Sequence, residues 1–261
     1  MAAAADDDEG AFAHAREFLG RVPGLADGGG NRPRPAVTLT FAQSLDGKIS
    51  RADRRLLLSG PESEAMTHRL RAMHDAILVG VGTIAFDDPR LTARLVPRAE
   101  AAAVAHPQPV VLDPRLRTPL GARLLSGPRA DPRLRAPWIV AGPDHDRARR
   151  AVLERLGASV IVVDECDGAG RPLLPAVVAA LGRRGVARLM VEGGARVIQA
   201  FLEARLVDLL LVTIAPVLAG SAAVPAVAAA DCSALAIAPL LYERFGRDVV
   251  MAATLDRRPA S

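Results

Sequence analysis

Two glycine-containing segments have residue types that suit phosphate binding. The first is Glu192-Gly193-Gly194-Ala195, which stands between an apolar run and an amphipathic stretch and predicts a turn from a buried strand into a helix. Paired glycines expose backbone N–H groups, and together with the helix dipole these groups form a site for phosphate or pyrophosphate. Glu192 is costly to bury without a partner, which favours a hydrogen-bonding role for its carboxylate. The alternative is an ordinary strand-to-helix turn.

The second segment, Gly80-Val81-Gly82-Thr83-Ile84-Ala85, formally matches the dinucleotide fingerprint G-x-G-x-x-A after a strand. Phe86-Asp87-Asp88-Pro89 follows at once and leaves no room for the helix whose N-terminus would hold a pyrophosphate, so we do not expect a standard Rossmann site. The glycines still predict a tight turn at the carboxyl end of a strand. There Thr83 offers a hydroxyl group and Asp87 a carboxylate to a ligand, unless the segment is only a polar turn.

Arginines near the ends of predicted elements are candidates for holding a further phosphate. Arg71 lies at the end of a predicted helix, and Arg94 follows the turn that contains Asp87. An arginine can hold a phosphate through two hydrogen bonds, although in this arginine-rich chain most guanidinium groups must simply face solvent. The spacing of His68 and His74 matches no metal site, and no metal is expected. The motifs G-x-S-x-G, H-E-x-x-H and Walker A are absent, so those hydrolase classes lack their essential residues.

The overall composition narrows the possible classes of function. There are 33 basic and 29 acidic side chains, the formal net charge is +4, and aromatic residues make up only 3% of 261 positions. A chain without a basic face that carries aromatic rings is not expected to bind nucleic acid. Cys166 and Cys232 lie far apart and predict neither a zinc site nor a disulfide, which fits a reducing cytoplasm.

The acidic start of the chain and one long apolar stretch bear on its location. Residues 1–9 are acidic, whereas a signal or transit peptide would be basic. Residues 209–230 carry no charge and are long enough to span a bilayer, but Pro216, Gly220 and Pro225 interrupt them and their second half is mostly alanine. We therefore expect a buried strand followed by a loop, in a cytoplasmic protein without a membrane span.

Alternating strand and helix patterns must position the candidate residues. Apolar runs such as Ala76–Val81 predict strands that are covered on both faces, and amphipathic stretches follow several of them. This alternation predicts an α/β fold with a mainly parallel central sheet. Ser59, with Glu62 three residues later, predicts the N-cap and capping box of the helix that carries Arg71.

One domain is expected, preceded by a tail. Residues 1–35 combine alanine, acidic residues and glycine and predict a short helix or a poorly ordered tail, whereas residues 36–261 form the domain. Within the domain, residues 97–137 are rich in proline and arginine and predict a surface loop, although Val110–Leu112 has the pattern of a strand. Val249–Leu255 predicts a final edge strand.

Five segments, taken in order, resemble the riboflavin-biosynthesis reductases over about residues 36–255. They are Leu39–Ile49, Met66–Arg71, His74–Thr83, Asp87–Leu91 and Met190–Ala195. The resemblance implies the dihydrofolate-reductase-like three-layer fold, NADPH as cofactor, and reduction of the ribosyl group of a pyrimidine ribosylamine 5′-phosphate to ribityl. The chain resembles the stand-alone fungal and archaeal branch most, which implies 2,5-diamino-6-(ribosylamino)-4(3H)-pyrimidinone 5′-phosphate as the substrate.

The resemblance also implies roles for individual residues. On the cofactor side it places Ala42 near the nicotinamide and implies that NADP is bound by Thr83, Asp87, Gly193, Gly194, Ala195, Arg196 and Val197. On the substrate side it implies a lining made by Arg71, Leu91, Arg94 and Glu192. A proton must also be delivered, and the candidates for its donor are Glu192 and Asp46.

Several alternatives stay open at this point. The substrate could be the deaminated 5-amino-6-(5-phosphoribosylamino)uracil, or the chain could be another enzyme of the same fold, such as a dihydrofolate or pterin reductase. A non-catalytic homologue that only binds NADPH is the alternative from a different class. The habit of the family and the apolar segment Leu209–Leu218 favour a homodimer.

Overall fold

A computed structural model describes residues 2–25, 33–51, 56–97, 99–100, 102–227 and 237–255. The strands are β1 (Ala36–Ser44), β2 (Lys48–Arg51), β3 (Ala76–Gly80), β4 (Gln108–Leu112), β5 (Trp138–Ala141), β6 (Ser159–Val162), β7 (Arg188–Val191), β8 (Leu209–Ala215), β9 (Ala223–Pro225), β10 (Ile237–Phe245) and β11 (Asp248–Leu255). The helices are α1 (Ala2–Arg21), α2 (Pro61–Ala72), α3 (Val81–Asp87), α4 (Arg123–Ala130), α5 (Arg147–Arg155), α6 (Leu174–Gly182) and α7 (Ala195–Glu203). Within the described ranges, no helix is both long and apolar enough to cross a membrane.

Nine strands form one sheet in the order β10-β11-β8-β1-β7-β3-β4-β5-β6. From β8 to β6 all neighbours pair in parallel, which confirms the predicted α/β class with a mainly parallel sheet. The expected position of the last strand is wrong, because β11 pairs with β8 on one side and with β10 on the other. The sequence pattern of β10 is difficult to recognise because the register shifts between Pro239 and Leu241.

Helices cover both faces of the sheet and produce three layers. Successive residues of β3 point to opposite faces, so Leu78 packs in one apolar cluster and Ile77 in another. The cluster around Leu78 also contains Val177 of α6 and Phe201 of α7. On the opposite face, apolar side chains of α1 to α5 cover the sheet in two clusters. The three-layer arrangement therefore agrees with the expected fold.

The N-terminal segment differs from the expected short helix or poorly ordered tail. Helix α1 extends over 20 residues and buries Ala15, Phe18 and Leu19, whose spacing forms one apolar stripe. The ring of Phe18 meets the ring of Phe245 edge to face, with centroids 5.2 Å apart. The helix packs beside α2, and alanine and acidic residues at its start obscure the stripe in the sequence. Residues 26–32, which include the predicted glycine-rich part of the tail, lie outside the described residues.

The region of residues 97–137 is more ordered than the predicted surface loop. It contains β4 and also helix α4, which the sequence did not predict. Leu124 and Leu125 of α4 are both 3% exposed and pack in the apolar cluster that contains Ile77. Pro128 lies inside this short helix, so propensity argues against it, and tertiary burial of the two leucines outweighs that preference.

Helix α2 begins one residue later than its predicted N-cap. Gly60, not Ser59, is the N-cap residue, and no side chain of the segment itself caps the helix. Instead Asp248 of β11 accepts hydrogen bonds from the backbone N–H of Gly60 at 2.7 Å and from Oγ of Ser63 at 2.5 Å. The predicted capping box is therefore wrong, because a carboxylate 188 positions away performs this function.

His74, between α2 and β3, makes the stability of the fold sensitive to acid. It is buried, its Nδ1 donates to the backbone carbonyl of Leu70 at 2.8 Å, and its Nε2 accepts from Oγ1 of Thr38 at 2.9 Å. Burial lowers the pKa of His74 to about 4, against a smaller opposing effect of the bond to Leu70. The unfolded chain, with an ordinary histidine pKa near 6.5, binds the proton first.

We therefore predict that the free energy of unfolding decreases as the pH falls from about 6.5 to about 4. His74 contributes at most about 1.4 kcal/mol per pH unit in this range. The His74→Gln variant keeps an acceptor for Thr38 and cannot titrate, so it should be less stable at neutral pH but less sensitive to acid. Urea unfolding of both proteins at pH 7 and pH 5 measures this. An equal loss of stability on acidification in both would contradict the prediction.

Candidate functional site

The strand order creates a crevice at the carboxyl ends of β1, β7 and β3. After β3 the chain continues to β4, β5 and β6 on one side and then returns to place β7 between β3 and β1. Such a reversal is the usual position of a ligand site in an open parallel sheet. The pairing of β1 with β7 ends at Leu39, whereas its pairing with β8 continues to Ser44. The last part of β1, with Ala42, therefore stands above the end of β7 and borders the crevice.

The two predicted phosphate-binding segments meet in this crevice. Helix α3 follows β3 with Gly80 as N-cap, and helix α7 follows β7 with Gly194 as N-cap. A Cβ atom built on Gly194 would lie 3.4 Å from Oγ1 of Thr83. At Gly193 a Cβ atom would lie 2.5 Å from Cβ of Val197, closer than real Cβ contacts come. The structure thus brings Thr83 beside the Gly193–Val197 turn, and at Gly193 only a residue without a side chain fits.

The structure contains a helix where the sequence analysis left no room for one. Val81–Asp87 form α3, a helix of 7 residues that Asp88 ends in the left-handed conformation, with φ of 42°. Asp88 accepts a hydrogen bond from the backbone N–H of Arg123 at 2.8 Å, which ties the end of α3 to the start of α4. Asp87 is exposed and is the last residue of α3 rather than part of the predicted turn. The short length of α3 still separates it from a standard Rossmann helix.

We therefore expect Asp87 and Asp88 to have different roles, and substitution of each residue can distinguish them. If Asp87 contacts the cofactor, Asp87→Ala should weaken NADPH binding by about 1 to 3 kcal/mol, and Asp87→Asn should weaken it less. Asp88→Ala should instead lower the free energy of unfolding by about 1 kcal/mol, because it removes the acceptor for Arg123. NADPH titrations and urea unfolding of the three variants measure both effects. An equal loss of NADPH affinity in Asp87→Ala and Asp88→Ala would contradict the role of Asp87.

Arg71 and Glu192 form a bidentate ion pair at the end of β7. Nε of Arg71 lies 2.6 Å from Oε1 of Glu192, and Nη2 lies 2.6 Å from Oε2. The side chains are 13% and 18% exposed, so both charges are largely removed from water. Burial acts to lower the pKa of Arg71, but the carboxylate of Glu192 outweighs it and the net direction is upward. The sequence predicted a hydrogen-bonding role for Glu192, and its partner in the structure is Arg71.

The other residues expected on the substrate side lie in the segment after α3. Nη1 of Arg71 donates to the backbone carbonyl of Thr92 at 3.1 Å, which connects this segment to the ion pair. The side chain of Arg94 is 46% exposed, and its Nη2 lies 3.6 Å from Oε1 of Glu64. The side chain of Leu91 is only 2% exposed and packs in the apolar cluster with Ile84, so it belongs to the core rather than to an open surface.

Comparison with known proteins decides the family. The profile of the RibD C-terminal domain matches residues 35–251, which is most of the chain and includes every site residue discussed above. The chain belongs to this family. The predicted resemblance to riboflavin-biosynthesis reductases is therefore confirmed, and the matched range begins after α1.

Several relatives of this RibD C-terminal domain have names that state an activity. The 2,5-diamino-6-ribosylamino-4(3H)-pyrimidinone 5′-phosphate reductase of Archaeoglobus fulgidus is 38% identical over 199 residues, 74% of this chain and 86% of the relative. The protein of the same name from Debaryomyces hansenii is 34% identical over 200 residues, 72% of this chain and 77% of the relative.

Solved structures support the fold of this RibD C-terminal domain. The Saccharomyces cerevisiae riboflavin biosynthesis reductase Rib7 has a TM-score of 0.71 and 26% identity, covering 92% of this chain and 98% of that one. Acinetobacter baumannii RibD has a TM-score of 0.72 and 24% identity over 86% of this chain and 58% of its own, and shows the fold alone. The expected dihydrofolate-reductase-like fold is thereby confirmed.

Asp46 has a structural environment rather than that of a proton donor. Its Oδ1 accepts from the backbone N–H of Ala219 at 3.0 Å and from Oγ of Ser44 at 2.5 Å, and its Oδ2 accepts from Gly220 at 2.8 Å. These hydrogen bonds, that of Ala219 first, lower the pKa of Asp46 to about 2. The carboxyl group therefore carries no proton near neutral pH and instead holds the loop after β8.

His68 is a further residue of this region, for which the sequence predicted no role. His68 lies one helical turn before Arg71, is 1% exposed, and contacts the segment that carries Arg94. Its position three residues before Arg71 in α2 is the signal that was available, because residues at this spacing share a helix face. Among the described residues, no group of three or more histidine, cysteine or acidic side chains has an arrangement that suits a metal ion.

Proposed function

We propose that this protein reduces the ribosyl group of 2,5-diamino-6-(ribosylamino)-4(3H)-pyrimidinone 5′-phosphate to the ribityl form with NADPH. The observation that carries the proposal is the convergence of two different sites on one crevice. The glycine turn beside Thr83 suits the phosphates of a dinucleotide, and the Arg71–Glu192 pair suits a polar sugar phosphate. The names of the relatives with high coverage supply the substrate.

The residues around the start of α7 fit a nucleotide cofactor. Helix α7 has no side-chain cap and no acidic residue in its first turn, so its N–H groups are available to an anion. Arg196 in that turn is exposed, and a cation there opposes the helix dipole unless an anion is also bound. At Gly194 the hydroxyl group of Thr83 lies close enough to the turn to share an anion with its N–H groups, since a Cβ atom built there would lie 3.4 Å from Oγ1. These features favour bound phosphate over an unliganded turn.

The chemistry divides between the cofactor and the protein. When bound, NADPH would supply a hydride to C1′ after the C1′–O4′ bond of the ribosylamine has opened to an imine, and the imine nitrogen would take one proton. The protein positions both ligands and excludes water. The open end of β1 at Ala42 borders the crevice where the nicotinamide would lie, and the Arg71–Glu192 pair would orient the ribosyl phosphate. Neither candidate has the surroundings of a proton donor, because Glu192 is held as a carboxylate by Arg71 and Asp46 is engaged by the loop after β8.

The proposed function is tested by mixing the purified protein with NADPH and each of three substrates. These are the diamino pyrimidine, its deaminated form and dihydrofolate, with loss of NADPH absorbance as the measurement. We expect the largest kcat/KM with the diamino compound. Higher kcat/KM with the deaminated compound would support the alternative substrate, and turnover of dihydrofolate would place the protein with the folate reductases. NADPH binding without oxidation in all three cases would support a non-catalytic homologue.

NADPH should be preferred over NADH. A basic chain offers guanidinium groups to the 2′-phosphate, and Arg196 lies exposed beside the proposed phosphate turn. We predict that kcat/KM with NADPH exceeds that with NADH by at least about tenfold, the equivalent of one charged hydrogen bond. Steady-state kinetics with both cofactors at one ionic strength measures the ratio. Equal values would contradict this prediction.

A cytoplasmic homodimer remains our proposal for the state of the protein. The apolar segment that first suggested a dimer forms β8, which lies inside the sheet between β1 and β11 and is not available as an interface. The outer strand β10 supports the proposal better, because Ile237 and Tyr242 are 47% and 62% exposed on it. Sedimentation equilibrium of the purified protein tests the proposed stoichiometry.

A further inference from the structure

Helix α2 and the segment Thr92–Arg94 are joined by hydrogen bonds in both directions. The backbone N–H of Arg94 donates to Nδ1 of His68 at 3.0 Å. One turn further along α2, Nη1 of Arg71 donates to the backbone carbonyl of Thr92 at 3.1 Å. The same guanidinium holds Glu192 at the end of β7. His68 is therefore the first member of a connected set of residues that ends at the crevice.

The segment needs such support because the chain enters it through an unfavourable conformation. It begins after Leu91, which has φ of 53° in the left-handed region, a strained conformation for a residue with a branched side chain. Residues 91–94 form no helix or strand. Strained backbone of this kind persists only where surrounding contacts hold it in place. The bond from the Arg94 N–H to His68 is such a contact.

The surroundings of His68 favour the neutral ring that this contact requires. Because Nδ1 accepts a hydrogen bond, the neutral ring carries its proton on Nε2. Burial and then the positive charges of Arg71 and Arg94 lower the pKa of His68 to about 3, with a smaller contribution from His106, while the Thr92 backbone opposes them. Protonation of Nδ1 would remove the acceptor for Arg94 and place a second cation 3.5 Å from Nη1 of Arg71.

We propose that His68 is a positioning residue that fixes the Thr92–Arg94 segment, so that the Arg94 guanidinium, whose Nη2 lies 3.6 Å from Oε1 of Glu64, is held where it meets the phosphate of the substrate. This inference rests on the proposed function, because it gives Arg94 a phosphate to bind. The guanidinium of Arg94 is 46% exposed, whereas its backbone N–H is held by a ring that is 1% exposed. The buried contact thus orients an accessible cation.

Two isosteric variants separate positioning from packing. In His68→Asn the side-chain oxygen takes the place of Nδ1 and can still accept from Arg94, whereas His68→Leu has the same shape without an acceptor. We expect KM for the diamino pyrimidine to rise about tenfold in His68→Leu, the value of one lost hydrogen bond, and to change less than about threefold in His68→Asn. The Kd of NADPH should stay within about twofold in both, since the contact lies on the substrate side.

Thr67→Val is the matched control on the same helix. Oγ1 of Thr67 donates to the carbonyl of Ser63 at 3.0 Å, so this variant removes a hydrogen bond within α2 without touching Thr92–Arg94. Its KM should equal that of the wild type. If His68→Leu does not fold, His68→Gln replaces it, because glutamine places its oxygen near the position of Nε2 and away from Arg94.

A double-mutant cycle with Arg94→Ala decides whether His68 acts through Arg94. We expect the double variant His68→Leu/Arg94→Ala to have the same KM as Arg94→Ala alone. Additive effects on KM, or equal KM values for His68→Asn and His68→Leu, would overturn the assignment. If the wild type oxidises NADPH with the diamino pyrimidine but the variants do not show the expected KM values, only the proposed role of His68 is contradicted. If the wild type oxidises NADPH with neither pyrimidine, the proposed function fails and the assignment of His68 fails with it.

Discussion

Replacing Gly193 with valine should weaken NADPH binding by at least about a hundredfold, while KM for the pyrimidine changes much less. A Cβ atom at this position would lie 2.5 Å from Cβ and 2.7 Å from Cγ1 of Val197, and 3.3 Å from the backbone nitrogen of Ile198. The clash involves the first turn of α7 itself, so that turn must move away from the end of β7. The N–H groups that we propose as phosphate ligands move with it.

The measurement is the Kd of NADPH by fluorescence titration, together with the thermal midpoint of unfolding. Gly20→Val in α1 is the matched control, because a Cβ atom there meets nothing within 4 Å and the site is distant in the fold. The control should bind NADPH like the wild type. A folded Gly193→Val protein with unchanged NADPH affinity would show that the turn is only structural. Gly193→Ala has the same short Cβ contact and should also lose affinity.

The parallel sheet could be predicted because its strands carry their own local signal. Ala76–Gly80 is a continuous apolar run with glycine at its end, and the observed β3 has these bounds to within one residue of the predicted strand. The crevice was also predictable in outline, since glycine turns after parallel strands lie at one edge of a sheet. The five resembling segments include Ala42, Thr83 and Gly193, which the structure places at or beside that edge.

Features that depend on distant residues were not predictable from local patterns. The cap of α2 is Asp248, which is 188 positions from Gly60, and no property of residues 59–62 reveals it. The partner of Arg71 is Glu192, 121 positions away, and their pairing depends on α2 lying above the end of β7. Helix α1 was obscured by its alanine and acidic residues, and β10 by Pro239 at a shift of register. In each case tertiary packing determines what local propensity leaves open.

The role of the Arg71–Glu192 pair can be separated from its contribution to stability. Arg71→Met leaves a largely buried carboxylate without a partner, and we expect it to lower the free energy of unfolding by about 3 kcal/mol. The double variant Arg71→Met/Glu192→Leu removes both charges and should recover most of this loss, because well-packed apolar residues can replace a desolvated ion pair. Arg133→Met is the control. Arg133 makes a comparable bidentate contact with Asp131 but is 60% exposed, so its loss should change the free energy of unfolding much less than the loss of Arg71 does.

Activity should not follow stability in this series. Both variants lack the guanidinium of Arg71. They therefore lack the ion pair that we propose as the orienting group for the ribosyl phosphate. We therefore expect kcat/KM for the diamino pyrimidine to fall by at least about a hundredfold in both, the equivalent of two charged hydrogen bonds, with the Kd of NADPH little changed. Urea unfolding and steady-state kinetics on the same preparations measure the two quantities. If the double variant regains activity together with stability, the pair only supports α2 against β7, and the substrate must be oriented by other residues.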